Sequence, residues 1–85
     1  MKTLLYTVKD TKVGSVGAVL KFRNDALAIR CFGDAVSQKD SIYNTHPADF
    51  ALVCIGEIDE ETGIIQPLLV PRLVVSACDY GKESV

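Results

Sequence analysis

The chain opens on an alternation. Leu4, Tyr6 and Val8 interleave with Thr3, Leu5 and Thr7, and β-branched and aromatic types dominate residues 2–9, which predicts a strand. Asp10 to Gly17 contains Lys12, Gly14, Ser15 and Gly17 and reads as a loop, because glycine lets the backbone turn without a Cβ clash. Ala18-Val19-Leu20-Lys21-Phe22 reads as a short second strand. The period then changes. Ala28, Ile29, Phe32, Ala35 and Val36 fall at i, i+1, i+4, i+7 and i+8, one apolar face of a helix running from about Asp25 to Ser37. Asn24 or Asp25 suits its N-cap, since either side chain can accept from an orphan backbone N–H. Arg30 and Asp34 are spaced for an i, i+4 ion pair on the outer side.

Residues 37–49 are polar and turn-rich. Thr45-His46-Pro47-Ala48-Asp49 predicts a single helical turn capped by Thr45, with Pro47 close to its start. From Phe50 to Ile58 both sides of the alternation are apolar for most of the run. That pattern places the strand centrally in a sheet or at a subunit interface. Asp59-Glu60-Glu61-Thr62-Gly63 reads as a hairpin loop with Gly63 in the left-handed conformation, after which Ile64-Ile65-Gln66 returns along the strand. Pro67 and Pro71 cannot donate to a ladder, so residues 64–78 cannot be one long central strand; Leu73 to Ala77 resumes as an edge strand. Asp79 to Val85 is polar and is expected to fray. The order describes one α+β domain over residues 1–85, a small, mostly antiparallel β-sheet packed with one main α-helix.

Composition adds two constraints. Hydrophobic residues make up 48% of 85 positions, and the disorder signature of low hydrophobicity with high net charge is absent. A domain this short buries only roughly 60% of its unfolded surface, so part of that apolar content is expected to be covered in a homo-oligomer, a dimer or higher. No apolar run is long enough for a signal core or a membrane span, and a cytoplasmic location without a membrane partner follows as an expectation. Cys31, Cys54 and Cys78 are an odd number without a CxxC pair, and their apolar neighbours predict buried, reduced thiols.

Charge is unevenly distributed. Residues 1–39 carry seven Lys or Arg against three acids, a balance of +4; residues 40–85 carry two against eight, a balance of −6; together these give the net −2. Within the basic half, Lys9, Lys12, Lys21 and Arg23 lie on or beside the first two strands, with Tyr6 and Phe22 interleaved. Aromatic faces beside cations suit single-stranded nucleic acid, whose bases stack on rings while phosphates meet the cations. The competing reading makes the two rings core residues and the lysines a solvated rim, and a sequence pI of 5.2 favours it.

Catalytic motifs are missing. His46 is the single histidine; Asp49 is near enough in sequence to orient it, but no nucleophile is placed beside it. Asp59-Glu60-Glu61 lacks the alternating oxygen ligands of a calcium loop, and Gly14-Ser15-Val16-Gly17 is not followed by the Lys and Ser or Thr of a phosphate loop. The expectation is a protein that binds rather than catalyses, with no metal and no cofactor.

Several segments carry a resemblance over nearly the whole chain. These are Met1-Lys2-Thr3-Leu4 with Tyr6-Thr7-Val8-Lys9-Asp10, Asn24-Asp25-Ala26 with Ala28-Ile29-Arg30 and Phe32, Asp34-Ala35-Val36, His46-Pro47-Ala48-Asp49-Phe50, Gly56-Glu57-Ile58-Asp59 and Glu61-Thr62-Gly63. In that order they resemble the small nonstructural protein of gokushovirus-type microviruses, single-stranded DNA phages. Leu20-Lys21-Phe22 and Ile58 depart from the pattern, the latter standing where Phe is expected. The resemblance implies a noncatalytic protein of the host bacterial cytoplasm, absent from the virion. It further implies binding to single-stranded DNA and a part in the switch from double-stranded replication to single-stranded genome synthesis. A second expectation is a protein-interaction module for phage replication, procapsid or host proteins, acting through the acidic C-terminal half.

Overall fold

The computed structural model describes residues 1–81. Five strands form a single sheet: β1 (Lys2–Asp10), β2 (Ser15–Val16), β3 (Leu20–Phe22), β4 (Phe50–Asp59) and β5 (Ile65–Ser76). The helices are α1 (Asp25–Ser37), α2 (Ile42–Thr45) and α3 (Cys78–Gly81), with a 3₁₀ turn at Pro47–Asp49. Every pairing is antiparallel. The order is β2-β1-β4-β5, with β3 lying beside β2 on the same edge of β1. The α+β architecture is the one the sequence predicts.

Alternation decides which residues meet. Tyr6, Phe50, Leu52 and Cys54 pack against Ala28, Phe32 and Val36 of α1, with Leu4, Val8 and Phe22 at the margin. Asn24 caps α1 through its side chain, accepting from the Leu27 N–H at 2.9 Å. That capping leaves Asp25, the first residue of the helix, free for another partner. The predicted outer Arg30–Asp34 pair is not formed; both side chains are exposed, where solvent removes most of the gain from such a pair.

Three other expectations change. Ser15–Val16 pairs with the end of β1 in what reads as loop, because the Gly14 turn (φ 79°) folds the chain straight back. Thr45 caps nothing: it ends α2, which is capped by Ser41, and the 3₁₀ turn begins after His46 with Pro47 in its first turn. The tail expected to fray from Asp79 forms α3 as far as Gly81, pinned where the Tyr80 hydroxyl donates to the Ile29 carbonyl at 2.6 Å. Tyr80 also packs edge-on to Phe32, and Gly33 makes room for its ring. Residues 82–85 of that tail lie outside the described residues.

The two prolines behave as their chemistry requires. β5 is continuous as backbone, but its ladder to β4 jumps from Pro67 opposite Gly56 to Arg72 opposite Cys54. One residue on β4 therefore faces an excursion of four, Leu68-Leu69-Val70-Pro71, on β5. A Cβ on Gly56 would sit 2.5 Å from the Gln66 carbonyl oxygen, so glycine is what lets the hairpin close there. Gly63 takes φ 78° at its tip, as expected.

Candidate nucleic-acid interface

The structure sorts the six candidate residues, Tyr6, Lys9, Lys12, Lys21, Phe22 and Arg23, by strand alternation. Tyr6 is wholly buried. Its ring meets that of Phe22 edge-on, centroids 5.7 Å apart, and its hydroxyl donates to Asp25 Oδ1 at 2.5 Å. Burial, reinforced by the neighbouring carboxylate, holds the Tyr6 hydroxyl far above the usual phenol range. Arg72 grips the same carboxylate with both nitrogens, Nη1 to Oδ2 at 2.8 Å and Nη2 to Oδ1 at 3.1 Å. The guanidinium first, and the Tyr6 hydroxyl second, hold the Asp25 carboxyl below its usual range. Tyr6 is therefore part of a structural clasp joining β1, α1 and β5, and no base can stack on it.

Phe22 is half-buried and faces α1, where it lines an apolar cavity of about 190 Å³ with Leu20, Cys31 and Phe32. Lys21 lies opposite Leu5, while Phe22 lies opposite Leu4. Residues paired across a ladder share a face, so Lys21 projects from the side of the sheet away from α1. Lys9, in step with Leu5 and Thr7, projects from that same open face. The interleaving of rings and cations along the chain is thus undone in space: the rings go to the helix side and the strand lysines to the other.

The cations are not equivalent. Lys21 meets Glu60 Oε2 at 3.2 Å. Lys12 sits in the turn that Asp10 builds by accepting from the Lys12 and Val13 N–H groups. Lys9 and Lys21 are separated by four strand positions, roughly 13 Å at a normal strand rise. Arg23 follows β3 and is exposed. Lys9, Lys12, Arg23, Arg30 and Lys39 have no ion-pair partner among the described residues.

The acidic hairpin is answered from within the chain. Antiparallel pairing of β1 with β4 sets Lys2 opposite Asp59 and brings the N-terminal end of the chain onto residues 57–61. The Met1 amine lies 3.3 Å from Glu61 and 3.9 Å from Asp59, and Lys2 lies 3.5 Å from Glu57. Glu60 accepts from the Thr3 hydroxyl and from Lys21, which together hold its carboxyl below the usual range. The two halves of opposite charge are therefore laced together rather than held apart.

Other candidates resolve simply. His46 is exposed, with Nδ1 2.9 Å from the Thr45 hydroxyl; Asp49 meets it through a main-chain hydrogen bond to the His46 carbonyl. No cluster of His, Cys, Asp or Glu able to hold a metal occurs among the described residues, and no described helix is long and apolar enough to cross a membrane. Of the cysteines only Cys54 is buried. Cys31 and Cys78 are exposed, although Cys31 borders the apolar cavity beside Phe22 and Phe32.

Comparison with known proteins bears on the whole chain. A family profile described as phage ORF5 protein matches residues 3–80. The chain belongs to the phage ORF5 protein family. The match takes in all of the sheet except Lys2 at the start of β1, together with the α1 clasp and Tyr80. No curated protein and no solved structure matches the chain at a significant level.

Two features escaped the sequence reading. Arg72, isolated between proline and leucine, gave no local sign of its bond to a residue 47 positions away. The exposed excursion at 68–71 was legible only as an apolar run bracketed by prolines.

Proposed function

We propose that this phage ORF5 protein is a noncatalytic protein of the infected cell that binds single-stranded DNA through its phosphates. The observation carrying this reading is the set of unpaired cations. Lys9, Lys12, Arg23, Arg30 and Lys39 all fall within residues 9–39, whereas each carboxylate of residues 57–61 has a cationic partner from the chain's own N-terminal part. The four carboxylates of the hairpin share three cations, so the acidic excess of the chain is not concentrated at the hairpin tip. With Tyr6 buried and Phe22 turned toward α1, base stacking contributes little, and binding is electrostatic and indifferent to sequence. The resemblance to microvirus nonstructural proteins supports a role in the switch from double-stranded replication to single-stranded genome synthesis, in the host cytoplasm.

The alternative, a protein-interaction module acting through the acidic C-terminal half, takes second place, because the hairpin carboxylates meet cations of the chain's own N-terminal part. Fluorescence anisotropy of a labelled oligothymidine, titrated across a salt series, tests the proposal. Log affinity should fall by about 0.7 per log unit of salt for each phosphate contact. A triple change Lys9→Ala, Lys12→Ala, Arg23→Ala should flatten that slope. Absence of binding at low salt overturns the reading.

A further inference from the structure

The helices occupy one side of the sheet: Phe32, Tyr43 and Tyr80 all join the core made with the inner residues of β1 and β4. On the other side, register places Leu5 opposite Gly56, Val53 opposite Thr7 and Leu73, and Ile58 opposite Thr3 and Ile65. No described helix lies over this face. Its exposure is not even. Near β1 the side chains shelter one another, and Leu5 and Val53 are each 7% exposed. Toward the free edge, Ile65, Leu68, Leu69, Val70 and Leu73 are 54, 41, 100, 74 and 64% exposed.

We infer that the margin formed by β5 and its 68–71 excursion is the contact through which two copies of this chain associate. Three observations choose this occupant. The first is area. These five residues expose on the order of 600 Å², most of the roughly 800 Å² that one partner gives to a standard interface. The largest apolar patch of a typical monomer is about 300–600 Å².

The second is charge. Between Thr62 and Cys78 the only charged residue is Arg72, and Asp25 holds it from the helix side. A surface without charge gives a nucleic acid, or a partner chosen by charge, nothing to recognise. It is complementary to another surface like itself, and a twofold axis presents the same patch from both sides.

The third is the edge itself. Free edge strands are normally guarded by charged side chains, proline or bulges. In β5 the prolines and the bulge guard residues 67–71, while Leu73 to Ser76 forms an unguarded stretch beyond them. Pairing of that stretch with its twofold mate would cover the backbone groups and the apolar margin together. This association is independent of nucleic acid. It also leaves the unpaired cations of residues 9–39 exposed, so a dimer carries two sets of them.

Sedimentation velocity of the full chain, without DNA and over a concentration series, tests the inference. The wild-type protein should sediment as a dimer at micromolar concentration. Leu69→Asp changes a side chain that touches nothing in the monomer, and it should raise the dimer dissociation constant at least tenfold while keeping the circular dichroism spectrum. Leu73→Lys is the second variant, expected to act in the same direction. Amide hydrogen exchange should show protection at residues 73–76 in wild type that is lost in both variants. A wild type that stays monomeric to about 100 μM, an interface range set by weak contacts, overturns the inference. A dimer unaffected by both substitutions does so equally. Either failure leaves the oligonucleotide titration to decide DNA binding on its own.

Discussion

Removing the Asp25 carboxylate is the sharpest test of how this sheet is held to its helix. Asp25→Ala has three consequences that can be sized. The Tyr6 hydroxyl, on a ring with no exposed surface, loses its acceptor, and stranding a buried donor costs about 1–3 kcal/mol. The forked bond from Arg72 disappears; its partners are 48% and 38% exposed, which limits that loss to about 1 kcal/mol or less. An acid also leaves the first turn of α1, worth about 0.3–1 kcal/mol. Together the change should destabilise the fold by about 2–4 kcal/mol, a large share of the roughly 5–15 kcal/mol available to a domain. For a chain of this size each kcal/mol moves Tm by about 4–8 °C, so a fall of at least about 10 °C is expected in circular dichroism melts.

Tyr6→Phe provides the control. It removes the donor and leaves Asp25 with Arg72, and should cost only about 0.5–1.5 kcal/mol. In the double variant the penalty for a stranded hydroxyl vanishes, so its total should be less than the sum of the singles. Acid gives an independent readout. The folded Asp25 carboxyl titrates below its ordinary value, so its stabilisation is complete above the unfolded value of about 3.9 and is lost as pH falls through the folded one. Asp25→Ala should therefore flatten the decline of stability below about pH 4. Additive single costs, or a loss under about 1 kcal/mol for Asp25→Ala, would refute the clasp.

Three further outcomes follow from the packing. Gly56→Ala sets a Cβ 2.5 Å from the Gln66 carbonyl; it should lower the urea midpoint by the equivalent of about 2 kcal/mol or more, whereas Gly17→Ala, with 3.8 Å to its nearest atom, should cost far less. Gly33→Ala drives a Cβ to 2.8 Å from the Tyr80 ring and should release α3, seen as faster amide exchange at residues 78–80 with the sheet still protected. Ellman's reagent should titrate Cys31 and Cys78 in the native protein and Cys54 only after denaturation; three fast thiols in the native state would contradict the packing of β4.

Elements whose identity depends on local pattern were readable in the chain. α1 followed from its apolar spacing and the Asn24 cap. β4 declared its central place by being apolar on both sides. The prolines announced that β5 would be an edge strand with a broken ladder. The site was harder because its meaning lies in pairings between distant residues. Tyr6 stood in step with Leu4 and Val8, which already hinted at a core position, but only the Leu4–Phe22 and Leu5–Lys21 register shows that rings and lysines part company. Charge asymmetry was real along the chain and misleading in space, because an antiparallel pair lays the start of the basic half against the acidic hairpin. Cys54 is buried as expected, but Cys31 and Cys78 are exposed, because apolar neighbours in sequence do not fix how much cover a thiol receives.

The pairing of β1 with β4 also sets a clock. It joins residues as far apart as Lys2 and Asp59, so the first strand made has its main partner only after five more elements have been synthesised. At a translation rate of about 5–20 residues per second, roughly 3–10 s separate the two strands at the ribosome. Closure of so long a loop must precede any gain from the pair, which places this domain among the slower folders for its size. Until then the apolar residues of β1 have only the short strands β2 and β3 and the helix α1 for cover. The nascent chain thus spends its most aggregation-prone interval with one edge of β1 covered by two short strands and the other edge open.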